Sequence, residues 1–229
     1  MNTFLENKIS SNNLYKHQEE ALNKCLSFDA FALFMDTGTG KTRVAIEAIK
    51  ARNVNTLIVC PLSIIESVWI DELKKWGNIT GVNLHNNKYN QDYNMSILLR
   101  GKYNPNIYIV NYEKFKKLSS SFLNTIEFLI LDESSKIKNI KAQITQSLIG
   151  QPSGYNKLTP MCDRIKYKLI LTGTPAPNNL LEYWPQIRFL SSFLFFKNYY
   201  AFRANYFFNH YFQKFLWIAR KDSKEKISS

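Results

Sequence analysis

Gly38-Thr39-Gly40-Lys41-Thr42 sets a lysine and a hydroxyl directly behind two closely spaced glycines. Glycine accepts the left-handed backbone of a tight turn, so successive N–H groups can converge on an anion. In such a loop Lys41 would neutralise the β- and γ-phosphates of a nucleoside triphosphate, and the Thr42 hydroxyl would hold Mg2+. Thr37, Gly38, Thr39, Gly40 and Arg43 complete the expected nucleotide site. The strict phosphate-loop spacing asks for glycine at position 35, where this chain has Met35. A turn built from Gly38 and Gly40 can still cradle phosphate. A second group, Asp132-Glu133, closes the apolar run Phe128-Leu129-Ile130-Leu131. Asp132 is suited to hold Mg2+, directly or through water, and Glu133 to orient and deprotonate an attacking water. An acidic pair alone is usually a solvated loop; behind a buried strand, in a chain with Gly-Lys-Thr, it is a much stronger signal.

These groups need a frame. Five short apolar runs, 31–35, 56–60, 107–110, 128–131 and 168–171, predict strands covered on both faces, as in a parallel sheet. Between them, Val44, Ala45, Ala48 and Ile49 share one helical face, and so do Ile65, Val68, Trp69, Leu73 and Trp76. Alternating strands and helices predict a doubly wound α/β domain, with ligands at the carboxyl ends of the strands. Residues 78–106 read as loops with one further strand near Val82–Leu84, and 150–162 as an exposed loop punctuated by Gly and Pro.

Composition narrows the class. A chain of 229 residues, 45% hydrophobic and 14% aromatic, can bury a core and is not disordered throughout. Three scattered cysteines (Cys25, Cys60, Cys162) offer no zinc spacing and no disulfide framework, which fits a reducing compartment. The first residues lack a secretory core and no run of 18 apolar residues exists, so the expectation is a cytoplasmic protein without a membrane partner. Of the formal net charge of +12, an excess of eleven lies between Ser134 and Lys221, where thirteen Lys/Arg face only Asp163 and Glu182. Such a field attracts polyanions, nucleic acid foremost, although a basic solvated surface has the same composition.

Six segments in order resemble the motifs of superfamily-two helicases, most closely Swi/Snf-like ATPases of phage and bacterial type. They are 14–22 around Gln18, 36–42, 57–69 with Pro61 and Ser63, 109–113 with Asn111-Tyr112, 132–139, and 169–179 with Thr172-Gly173-Thr174-Pro175. The resemblance covers about 14–206 and implies a three-layer RecA-like P-loop domain with a mainly parallel sheet over 1–190. Residues 191–229 would form an aromatic-rich helical extension or the start of an inter-lobe connection. It further implies that Gln18 selects adenine, and that Pro61, Ser63, Asn111 and Tyr112 approach the DNA backbone regardless of sequence. Ser63 would also serve as a helix N-cap. Ser135, Thr172, Gly173 and Thr174 would couple nucleotide state to DNA. Many relatives carry His where this chain has Ser135, so the link between the second and third motifs is expected to be looser or water-bridged.

The implied cofactors are ATP and Mg2+, and the implied partner is DNA, duplex and read without sequence preference. A viral protein of this kind would act in the host cytoplasm. Enzymes of this class also need a second RecA-like lobe that supplies arginine fingers, worth ~10³–10⁵ in rate. Arg188, Arg203 and Arg220 lie in the wrong segment for that role, so hydrolysis by this chain is expected to be weak unless a second lobe is supplied by the parent protein or in trans. In 189–217, fourteen of 29 residues are Phe, Tyr or Trp, which suggests an apolar patch for an absent lobe or partner and self-association of the isolated chain. Two alternatives stay open: a non-catalytic nucleotide- or DNA-binding regulatory module from a truncated helicase gene, and an unrelated phosphate-loop ATPase.

Overall fold

The computed structural model describes residues 14–85, 106–155, 159–176, 178–191, 198–209, 217–220 and Ser223. The chain forms two compact units, Met1–Glu133 with Ile165–Gly173, and Ser134–Arg164 with Thr174–Ser229. It therefore passes from one unit to the other within the segment 132–139 and again within the segment 169–179.

The first unit is a six-stranded parallel sheet. Its strands are β1 (Ala30–Phe34), β2 (Thr56–Cys60), β3 (Gly81–Asn83), β4 (Ile107–Asn111), β5 (Phe128–Asp132) and β6 (Tyr167–Thr172), in the order β1-β6-β5-β2-β4-β3. All five apolar runs became strands, and the weaker Val82 signal became the edge strand β3. Every residue of β2, β4 and β5 is buried, which is why these strands lack polar alternation. Helices α1 (Lys16–Ser27) and α2 (Lys41–Arg52) supply part of the core through Leu22, Cys25, Val44, Ala45, Ala48 and Ile49. At the far end of α2, Arg52 donates to the carbonyls of Cys25 and Phe28 and lies 4.0 Å over the Tyr167 ring. The segment carrying Trp69 is wound wider than an α-helix, as π-helical turns over Ile65–Ile70 and Leu73–Gly77. Short helices α3 (Tyr112–Phe115) and α4 (Ser120–Leu123) follow β4.

The second unit begins with a 3₁₀ turn, Ser134–Ile137, followed by α5 (Gln143–Ile149) and α6 (Met161–Arg164). After the third motif come a 3₁₀ turn at Leu180–Glu182, α7 (Tyr183–Leu190) and α8 (Tyr199–Tyr206). Here the buried Arg188 pairs with Asp163 at 2.6 Å, and the Cys162 sulfur lies 3.1 Å from the same guanidinium. In the aromatic-rich extension, β7 (Phe207–Asn209) and β8 (Trp217–Ala219) follow α8 and form an antiparallel ribbon. Arg203 stacks 3.9 Å over the Trp217 ring. The rest of the aromatic stretch (192–197 and 210–216), residues 156–158 of the Gly/Pro loop and 86–105 of the expected loop region lie outside the described residues.

Candidate nucleotide site

The phosphate loop leaves β1 and enters α2 through two left-handed residues, Gly38 (φ 82°) and Gly40 (φ 86°). Glycine suits both positions for its freedom at positive φ. At Gly40 a Cβ would also come within 2.2 Å of Gln18 Nε2 and push that amide off the Thr39 carbonyl. Within the loop, Thr39 Oγ1 donates to the Asp36 carbonyl at 2.7 Å. The Lys41 ammonium curls back and donates to the carbonyls of Met35 (2.7 Å) and Asp36 (3.0 Å). Two of its three donors are thus spent on orientation and one remains for an anion. Position 35 contributes only its carbonyl to this grip, so the side chain there is free to be methionine.

Gln18 is buried beside the loop. Its Nε2 donates to the Thr39 carbonyl at 3.0 Å, its Oε1 accepts from the Tyr15 N–H at 3.1 Å, and His17 Nε2 also lies 3.0 Å from Thr39 O. These contacts tie the Gln18 segment to the loop backbone. Arg43 differs from expectation. It is buried, pairs with Glu47 at 2.8 Å and lies 4.4 Å over the Trp76 ring, which gives the guanidinium a packing role within the sheet's helical layer.

The third motif joins the loop from β6. The Met35 N–H donates to the Thr172 carbonyl, extending the β1–β6 ladder past the strand end. Thr172 is fully buried, and a Cβ on Gly173 would lie 3.5 Å from Met35 O and from Thr37 Oγ1. Thr174 starts the next passage into the second unit.

Asp132 ends β5, the neighbour of β6. Its carboxylate is buried and held at both oxygens: Trp69 Nε1 donates to Oδ2 and the Glu133 N–H to Oδ1, each at 2.9 Å. Burial is the largest influence on this carboxyl and raises its pKa above the ordinary value. The two hydrogen bonds and the Lys41 charge pull it down, while the Glu133 charge adds to the rise. Glu133 takes a left-handed φ of 54°, uncommon for a residue with a Cβ, so its backbone makes a sharp corner at the strand end. Asp132 and Thr42 offer hard oxygen donors. Among the described residues no group of three or more His, Cys, Asp or Glu could hold a metal ion. This donor set fits Mg2+ held by one or two protein oxygens with phosphate and water completing the shell.

On the other half of the edge the expectations divide. Ser63 is exposed in the 3₁₀ turn Leu62–Ile64 after β2, with Pro61 as its N-cap residue. The Ser63 side chain does not cap the following helix; its carbonyl accepts from Ser67 Oγ at 3.0 Å. Asn111 and Tyr112, expected at the DNA backbone, face inward instead. Asn111 Oδ1 caps α3 by accepting from the Lys114 N–H, and it meets His85 Nδ1 at 3.1 Å. The Tyr112 hydroxyl donates to the Asp132 carbonyl at 2.8 Å, and burial pushes its pKa well up.

Three contacts went unread in the sequence: Trp69 on Asp132, and Gln186 and Glu182 at the start of α7. A buried indole needs an acceptor for its N–H, and that need was the available signal for Trp69. Ser135 is partly buried in the turn after Glu133, while the fully buried hydroxyl there is that of Ser134.

The family model for the SNF2-related domain matches residues 14–227. The chain belongs to that family. It is 28% identical over 168 residues to the probable ATP-dependent DNA helicase CHR12 of Arabidopsis thaliana, covering 70% of this chain and 14% of the relative. Putative protein p41 of Acyrthosiphon pisum secondary endosymbiont phage 1 is 25% identical over 187 residues, covering 76% of this chain and 38% of the relative. The SNF2-related chain thus spans well under half of the length of these relatives. The fold matches the Sulfolobus solfataricus SWI2/SNF2 ATPase core solved with dsDNA, at a TM-score of 0.64 and 22% identity, over 85% of this chain and 39% of that one. No described helix is long and apolar enough to cross a membrane.

Proposed function

We propose that this SNF2-related domain is the ATP-binding first RecA-like lobe of a DNA-dependent translocase or helicase. One observation carries the reading: within one compact unit, a lysine gripped by a left-handed glycine loop shares the strand-end edge with a buried aspartate and a cornered glutamate. Lys41 binds the β- and γ-phosphates of ATP, and loop N–H groups between Thr37 and Thr42 take the remaining oxygens. Gln18, held against the loop by Tyr15 and Thr39, selects adenine. Thr42 and Asp132 hold Mg2+, which when bound neutralises charge on the phosphate oxygens. Glu133 accepts the proton of the attacking water. The exposed Ser63 and Pro61 turn meets the DNA backbone without reading sequence, and duplex DNA is favoured because the structural neighbour was solved with it.

Hydrolysis is weak until a second lobe supplies arginines, in keeping with the 39% of the SWI2/SNF2 core chain that this chain covers. The test is DNA-stimulated ATP hydrolysis with and without a supplied second lobe, comparing wild type with Lys41→Ala and Glu133→Gln. Stimulation that needs both DNA and the second lobe, and is lost in both variants, supports the reading. Nucleotide binding that ignores DNA under every condition overturns it in favour of an unrelated phosphate-loop ATPase. Binding of DNA and nucleotide with no hydrolysis even with both pieces present overturns it in favour of a regulatory module.

A further inference from the structure

The chain passes into the second unit twice, at Ser134 directly after Glu133 and at Thr174 directly after Gly173. Inside that unit the two incoming segments are tied to one helix. Gln186 on α7 is fully buried, and its Oε1 accepts from Ser134 Oγ at 2.7 Å. Its Nε2 donates to the Pro175 carbonyl and, at 3.1 Å, to the Glu182 carbonyl. Two carbonyls on the nitrogen side fix the orientation of the amide, since a flipped amide would set its oxygen against both.

One turn earlier a second bridge runs parallel to the first. The Glu182 carboxylate accepts from Asn178 Nδ2 at 2.6 Å and from the Asn178 N–H at 3.2 Å, and pairs with Lys138 at 3.5 Å. Residues 182 and 186 each therefore join the segment after Glu133 (Ser134, Lys138) to the segment after Gly173 (Pro175, Asn178). Four apart, they lie above one another on a helical face. Trp184 and Phe189 on the same helix are buried as well, so the Gln186 amide is cut off from water and depends on its partners at Ser134, Pro175 and Glu182.

We propose that Gln186 is a positioning residue that couples the nucleotide site to bound DNA by tying Ser134, next to Glu133, to Pro175, next to the turn of Thr172–Thr174. The inference rests on the DNA-dependent ATPase reading. A displacement of Glu133 on binding nucleotide passes along the peptide bond to Ser134, through the Gln186 amide, to the carbonyl of Pro175 and the turn of Thr172–Thr174. The amide carries the motion because it is rigid, planar and held at both ends.

The experiment measures duplex DNA affinity of the 229-residue chain by fluorescence anisotropy, with and without a non-hydrolysable ATP analogue and Mg2+. The reciprocal measurement, analogue affinity with and without DNA, must give the same factor by linkage. In wild type the expected coupling is roughly 5- to 150-fold. In Gln186→Leu, and in the milder Ser134→Ala, which removes only a hydroxyl, it falls below about 2-fold while each ligand alone binds within about 2-fold of wild type. The double variant loses no more coupling than either single one, because both remove the same link. Coupling that survives in Ser134→Ala and Gln186→Leu overturns the role of Gln186 alone. An equal fall in the affinity for each ligand by itself marks a purely structural residue and also overturns it. Absence of coupling in wild type overturns this proposal together with the DNA-dependent reading beneath it.

Discussion

Along one edge of the first unit's sheet, the ends of β1, β6 and β5 and the ends of β2 and β4 do different things. The first three deliver a loop with left-handed glycines, a buried threonine turn and an acidic corner. The ends of β2 and β4 deliver one exposed turn around Ser63, while Asn111 and Tyr112 turn inward as a helix cap and a prop beneath Asp132. Lying at a carboxyl strand end therefore makes a residue a candidate for ligand contact and no more; its partners decide whether it binds or supports.

The largest test of that contrast is Lys41→Ala. Losing a charge-assisted contact worth about 1.5–3 kcal/mol should weaken ATP binding roughly tenfold to a hundredfold in equilibrium titration, with the fold intact. Wild-type affinity in this variant would break the assignment of the β1 end. Glu133→Gln should bind nucleotide normally yet lower hydrolysis, assayed with a second lobe, by ~10²–10⁴.

Trp69→Phe probes support. It removes the indole hydrogen bond to a charged carboxylate and should cost about 1.5–3 kcal/mol in denaturant unfolding at neutral pH. The cost depends on pH in a defined direction. The folded-state pKa of Asp132 lies above the ordinary value, and removing a donor that favours the charged form raises it further. Stability from the protonated carboxyl is fully present below the ordinary pKa of about 3.9 and lost as pH rises through the folded value. The variant's deficit is therefore largest above the variant's own, higher folded value and shrinks as pH falls from there through the wild-type folded value. A deficit that grows on acidification would show that the indole does not act through the carboxylate.

The smallest effect separates the two strand ends most cleanly. Asn111→Ala should cost about 1 kcal/mol of stability as a lost cap, a shift of roughly 2–4 °C in Tm, and leave DNA affinity within about 2-fold. Ser63→Ala should do the reverse, weakening duplex binding with little change in Tm. Equal losses of DNA affinity in the two variants would return Asn111 to the DNA surface.

The sheet was legible because each central strand is covered on both faces, and that condition writes an unbroken apolar run into 56–60, 107–110 and 128–131. The phosphate loop was legible because glycine, lysine and threonine do adjacent jobs in adjacent positions. Gln186, Glu182 and Trp69 were not, since their partners lie 52, 44 and 63 residues away. A glutamine among Trp184, Pro185 and Phe189 reads locally as a polar lapse in an apolar face. The inward turn of Asn111 and Tyr112 was hidden for a related reason: family position gave their address, and the direction of the side chain depends on His85, Lys114 and Asp132. The unit boundaries were hidden by continuity, because the chain crosses inside motifs that read as single blocks.

The widened winding between Ile65 and Gly77 bears on tolerance to length change. A π-helical turn holds one residue more than the α-helical turn it replaces. Losing one residue from such a turn lets it relax to ordinary pitch while the turns on either side keep their register. The same loss inside the regular α2 would instead rotate one side of the cut against the other by about 100°. Single-codon losses at exposed positions of this stretch should therefore be better tolerated than single-codon losses within α2.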